Sequence, residues 1–257
     1  MTTLTNTPIY VFGLSLAVLW LAAWTGAYVR KRRRRQPVEA TDRQDYSVIE
    51  GATLTLLGLI IGFSFSMAIS RYDQRKNYEE AEANAIGTEY VRADLLPAAD
   101  ATKVHTLLRD YVNQRILFYN TRDEDKLRQI NADTAQLQAS LWSAVRGPAL
   151  EKPSMLSSLI ISGMNDVLNS QGYTQAAWWN RIPTAAWVLM ATIGVCCNLL
   201  IGYGSRRIEA RPILFVVTPL VVSISFFLIA DIDSPRGGVI RVAPKNLVSL
   251  AKSLPPN

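Results

Sequence analysis

The sequence predicts an all-α membrane protein: four transmembrane helices in two pairs flanking a polar bundle of roughly four helices, the second transmembrane helix extending into that bundle. Three observations carry this. Residues 8–29, 51–70, 183–203 and 212–230 contain no Asp, Glu, Lys or Arg, and about 20 apolar residues suffice to cross a bilayer as a helix. Residues 71–181, between the second and third windows, are polar and carry helical three-four periodicity. No Gly or Pro interrupts residues 64–86, so the second window continues into the polar block without a break.

The first window (8–29) could be mistaken for a secretory signal, but no basic residue precedes it and Arg30-Lys31-Arg32-Arg33-Arg34-Arg35 follows it. That is the reverse of a signal's charge order, and the segment reads as a retained anchor. Short loops rich in Lys and Arg stay in the cytoplasm. The loops 30–50 and 204–211, the latter with Arg206, Arg207 and Arg211, are therefore assigned to the cytoplasm. The helical block and both termini, including the tail 231–257, are expected outside it. Trp20, Trp24, Trp178, Trp179 and Trp187 fall near window ends and read as interfacial anchors. Trp142 reads as core.

The second helix should run from Gly51 to about Leu95, with Pro97 as its stop. Val104, Leu107, Leu108, Tyr111, Val112 and Ile116 predict an amphipathic helix over 103–119. Leu127, Ile130, Thr134, Leu137 and Leu141 form a coiled-coil-like seam over 124–145, broken by Gly147-Pro148. Leu156, Leu159, Ile160, Met164, Val167 and Leu168 predict another helix over 154–169. Short connections between them fit a helical bundle. In the tail, residues 238–242 are expected to form one short strand after a turn at 235–238.

Charge and motifs exclude several functions. The net charge is +6, yet the polar block is nearly balanced, while the remainder carries twice as many basic as acidic residues. The excess belongs to membrane-flanking segments, and the lipid bilayer, not nucleic acid, is the implied partner. Cys196 and Cys197 are adjacent and read as small buried apolar side chains, not a disulfide. His105 is the single histidine and has no Cys or His at ligand spacing, which argues against a metal site. No phosphate loop or zinc motif is present, no cofactor is implied, and enzyme activity is not expected.

Four features remain as candidates. Gly58, Gly62, Ser66 and Ser70 recur every four residues, a small-residue stripe that suits either close helix packing or a pore wall. Arg71 and Arg75 share a face where the second span exits, and Asp231 and Asp233 sit where the fourth exits. An Arg71–Asp231 or Arg71–Asp233 pair closing the bundle is the structural reading; anion attraction by Arg71 and Arg75 is the functional one. Two carboxylates fall short of the roughly six to eight oxygens calcium takes. Glu82 and Glu89 share a helix face about 10 Å apart, with Arg92 three residues on, and Asn84 and Thr88 share another. A solvated or subunit-contact face is expected for the acids.

The run Gly62-Phe63-Ser64-Phe65-Ser66-Met67-Ala68-Ile69-Ser70-Arg71-Tyr72 is similar to a stretch of the second span in bestrophin anion channels. Glu82-Ala83-Asn84-Ala85-Ile86-Gly87-Thr88, Tyr90 and Arg92-Ala93-Asp94-Leu95-Leu96-Pro97 resemble the signature of the bacterial bestrophin-like proteins. So does the tail, from Asp231-Ile232-Asp233-Ser234-Pro235 through Gly238, Ile240 and Val242. This second resemblance covers most of the chain. Likeness to bestrophins themselves implies a pentamer around an anion pore, narrowed by apolar side chains one helical turn apart on the second span. By position these are Phe63, Leu59 and Thr55. Phe63 and Leu59 suit an apolar constriction that dewets, whereas Thr55 departs from the pattern. Bestrophins also keep their termini and helical domain in the cytoplasm, opposite to what the arginine loops give here. Two functional classes follow: a channel-like homo-oligomer passing small anions, or a non-conducting membrane scaffold or sensor whose helical domain binds a ligand or partner.

Overall fold

The computed structural model describes residues 7–33, 40–204 and 212–255. Among them eight α-helices follow in order and there is no strand: α1 Pro8–Arg33, α2 Ala40–Arg92, α3 Ala98–Asn120, α4 Glu124–Glu151, α5 Met155–Trp179, α6 Thr184–Gly204, α7 Pro212–Asp233 and α8 Lys245–Ser253. Among the described residues four stretches are helical, long and apolar enough to cross a membrane. Arg34, Arg35, Arg206, Arg207 and Arg211, on which the orientation argument leans, lie outside the described residues.

α2 is 53 residues long, about 80 Å at 1.5 Å per residue. It contains no proline and ends through a 3₁₀ turn at Ala93–Leu95. Leu96 is extended (φ −81°, ψ 161°), as the residue before a proline must be, and Pro97 then caps α3. The helix begins eleven residues before the predicted boundary, so residues 40–50 are helical and not loop.

Two compact units divide the chain: Met1–Ser70 with Arg181–Arg241, and Arg71–Asn180 with Val242–Asn257. In the first, α1 packs along α6 and α7. The approach of α1 to α6 is too close for side chains: a Cβ on Gly26 would overlap the Leu199 carbonyl oxygen, and one on Gly202 would overlap that of Ala23. Arg30 donates to the carbonyls of Tyr203 and Gly204, both at 2.6 Å, satisfying the last turn of α6. Pro219 lies inside α7, which continues through it.

The second unit is a helical bundle of the C-terminal part of α2 with α3, α4, α5 and α8. Its core gathers Ile86 from α2, Val104, Leu108, Tyr111 and Phe118 from α3, Leu141 from α4, Ile160, Met164 and Val167 from α5, and Leu247 from α8. Asp123 caps α4 by accepting from the amides of Asp125 and Lys126, and Ser154 and Ser157 form a reciprocal cap on α5.

Three expectations are corrected here. Gly147-Pro148 does not break α4, which runs on to Glu151; the ring removes one bond, to the Ala144 carbonyl, and the helix ends within a turn. Residues 238–242 form bends and extended chain, not a strand, and are followed by α8. Trp178 is no interfacial anchor: it is buried against Phe118 and Tyr119, ring centroids 4.9 and 5.5 Å away. Trp20, Trp24 and Trp179 are exposed, and Trp142 is partly buried against the core.

Candidate functional site

α2 has two opposite faces within residues 51–70. Leu57, Ser64 and Ala68 are buried. Thr55, Leu59 and Phe63 lie about 180° around the helix from them at 3.6 residues per turn. All three are exposed, Leu59 at 54% and Phe63 at 63%. Gly58, Gly62, Ser66 and Ser70 are exposed beside them, and among the described residues nothing beyond the helix's own adjacent backbone lies within 4 Å of where a Cβ on Gly58 or Gly62 would stand. The hydroxyl of Thr55 donates to the Gly51 carbonyl at 2.9 Å, so the one polar member of the row is satisfied by its own helix.

The charges at the span exits have partners close at hand. Arg71 donates to Asn180 Oδ1 at 2.7 Å. Arg75 is buried and donates to the carbonyls of Ala177 and Asn180, at 3.3 and 3.4 Å. A cation against the last carbonyls of α5 also complements that helix's dipole. Asp231 accepts the amides of Val239 and Ile240, one per oxygen, both at 2.8 Å. A Cβ on Gly238 would overlap the Asp231 carbonyl oxygen, so the turn after α7 needs glycine there. Asp233 accepts the Ile182 amide at 3.1 Å, tying the start of the α6 segment to the end of α7.

Further along α2 come four carboxylates. Glu79, Glu82 and Glu89 are buried, against the solvated face expected for Glu82 and Glu89. Glu79 accepts the amides of Asn246 and Leu247, both at 2.9 Å, and the Asn246 side chain at 2.7 Å, capping α8. Glu82 forms an ion pair with Arg115, both fully buried. It also accepts from Tyr119 Oη and Thr174 Oγ1, each at 3.2 Å. Burial alone would weaken the proton hold of Arg115, but Glu82 beside it raises that hold above the ordinary arginine level. Burial, with Glu82 adding to it, pushes the Tyr119 phenol up. Glu89 has no such partner. Arg92 approaches only to 3.9 Å, beyond hydrogen-bond reach, and burial pushes the Glu89 carboxyl from 4.5 up to about 8. The remaining one, Glu80, is exposed. An open groove of about 600 Å³ separates α2 from α8, lined among others by Asn84, Thr88, Arg92, Asn246 and Ser249. His105 Nε2 donates to the Tyr90 carbonyl oxygen, 2.8 Å away, and the imidazole stacks on the Tyr90 ring.

A sequence model of the Bestrophin-like domain matches residues 14–247. The chain belongs to the bestrophin-like family. Its structure resembles that of a bacterial bestrophin homologue from Klebsiella pneumoniae, with a TM-score of 0.64 at 13% identity over 96% of this chain and 99% of that one. A point variant of the Klebsiella homologue gives 0.66 at 12% identity, over 93% and 98%. At such identity the likeness is one of fold. No curated protein matches the sequence.

Within the bestrophin-like chain, the fold brings the pore candidates and the small-residue stripe onto one exposed surface. It gives Arg75, Asp231 and Asp233 backbone partners, and Arg71 the side chain of Asn180. The acids of α2 resemble polar surface in the sequence because Glu80, Asn84, Thr88 and Arg92 are interspersed among them. The signal against that reading is spacing: Glu79, Glu82 and Glu89 fall in the same helical phase as Ala83, Ile86 and Ala93, which the core also buries.

Proposed function

We propose that the bestrophin-like protein is a channel-like homo-oligomer in which copies of α2 surround a conducting axis. Five copies and small anions as permeant ions follow from the likeness to bestrophins. The observation that carries the reading is the inverted use of α2 in the span. The chain buries Leu57, Ser64 and Ala68 and leaves Thr55, Leu59, Phe63 and the small-residue row outward. An exposed helix face this rich in small residues admits a close neighbour. Phe63 and Leu59, one turn apart, would make successive apolar rings that exclude water until they widen. Thr55 would form a third ring, its hydroxyl already bonded to the backbone. The helical unit and both termini lie outside the cytoplasm in this proposal, as the arginine-rich loops require.

The test is assembly and flux together. Native mass measurement in mild detergent should give a multiple of the chain, and vesicles carrying the protein should pass chloride. Phe63→Ala should raise that flux by about tenfold, equivalent to about 1.4 kcal/mol off the barrier. A monomer, or vesicles silent under varied calcium and voltage, would sink the channel and leave a scaffold or sensor.

A further inference from the structure

Among the described side chains of α2, most buried charges are compensated and one is not. Glu79 holds the amides that start α8, Arg75 holds the carbonyls that end α5, and Glu82 is paired to Arg115. Glu89 is 0% exposed and neither of its oxygens has a hydrogen-bond partner among the described residues. It lies nineteen residues beyond Ser70, about 28 Å along the helix, in the bundle unit and clear of the 51–70 span.

What stands against it is α5. A Cβ on Gly163 would overlap both Glu89 Oε2 and Arg92 Nη1, so the contact exists only because that position is glycine. The charges acting on Glu89 are Arg92, from its own helix, and Asp166 on α5, three residues after Gly163. Arg92 favours the anion from 3.9 Å and is partly solvated, whereas Asp166 opposes it and burial opposes it more. An unpaired anion in such a place is costly, and the group relieves the cost by keeping its proton.

We propose that Glu89 is a proton-binding site: its carboxyl is protonated in the folded protein near neutral pH, and release of that proton to solvent places an anion against Gly163 and loosens α2 from α5. The site stands whether or not α2 lines a pore. It makes the α2–α5 contact respond to alkaline pH, through a single carboxyl on the helix that also carries Phe63.

The experiment uses the full chain in detergent, titrated with protons alone and followed by infrared difference spectroscopy of the protonated carboxyl C=O band. Wild type should keep one such band that disappears between about pH 7 and pH 9, well above the ordinary carboxylate range. Glu89→Gln should lack it. Asp166→Asn should move its midpoint down and Arg92→Gln should move it up, opposite shifts that need no change at Glu89 itself and so survive a failure of Glu89→Gln to fold. In parallel, amide exchange around Gly163, corrected for the intrinsic pH dependence, should accelerate several-fold across the same transition in wild type and not in Glu89→Gln. The proposal is overturned if the wild-type bands all vanish in the ordinary carboxylate range. It is equally overturned if neither neighbour variant moves the transition, or if exchange at Gly163 rises alike in wild type and Glu89→Gln.

Discussion

One helix carries two opposite solutions to the same problem. In residues 51–70, α2 turns apolar side chains outward, Leu59 and Phe63 among them, and buries a serine. Beyond Ser70 the same helix turns inward, burying Arg75, Glu79, Glu82 and Glu89. In water both choices would be unfavourable. The first half makes sense if its outward face meets hydrocarbon or another protein surface, where apolar contact costs nothing. The second makes sense because most of its buried charges are matched, by Arg115, by the start of α8 and by the end of α5. An outward apolar face in one part and matched buried charges in the other distinguish a surface the chain itself leaves uncovered from a part complete in itself.

The largest effect should come from breaking a match in the second half. Arg115→Met leaves Glu82 buried without its cation, and removal of one partner of a buried pair costs about 3–5 kcal/mol. Thermal unfolding of the detergent-solubilised chain should fall accordingly, and Glu82→Gln in the same molecule should restore part of the loss. If Arg115→Met is as stable as wild type, the charged half is not held by matching.

The next effect is a slope. The folded carboxyl of Glu89 is pushed up to about 8 from an ordinary 4.5, so between those values the folded state holds a proton the unfolded chain has released. Stability contributed by that proton is fully present below the lower value and is lost as pH rises towards about 8, at up to about 1.4 kcal/mol per pH unit. Denaturant midpoints across this window should decline in wild type and flatten in Glu89→Gln. Smaller again is Glu79→Gln, which keeps the shape of the α8 cap but removes its charge. About 1–2 kcal/mol should be lost, the difference between charged and neutral hydrogen bonds. Faster proteolysis after α8 loosens would report it.

The spans are legible in the sequence because a soluble helix of that length would carry a charged face, and none of the four windows has one. The long α2 is legible because no proline falls between residues 40 and 92. Tertiary contacts hide the rest. Trp178 resembles an anchor from its place beside a span, yet Phe118 and Tyr119 enclose it. Residues 238–242 resemble a strand from their β-branched content, but Asp231 fastens their amides across a turn. Glu82 resembles a solvated acid because its cation, Arg115, is 33 residues away in sequence. Asp231 and Asp233 are legible as a motif, and only the structure gives their work on the backbone.

The smallest expected change in stability is the sharpest test of the comparison. Gly62→Ala adds a methyl group where, among the described residues, nothing beyond the helix's own adjacent backbone lies within 4 Å, so the isolated chain should change by less than about 0.5 kcal/mol, as ordinary surface substitutions do. Alanine also favours the helix over glycine, and any shift should be in that direction. The same methyl at Gly202 would overlap the Ala23 carbonyl, which makes Gly202→Ala the control that must fail. If α2 faces another copy of itself at Gly62, the oligomer should loosen or change its flux while each chain stays folded. Unchanged mass and unchanged flux with Gly62→Ala, and likewise with the bulkier Gly62→Leu, would mean that this face meets only lipid, and the outward half of α2 would then be an anchor and nothing more.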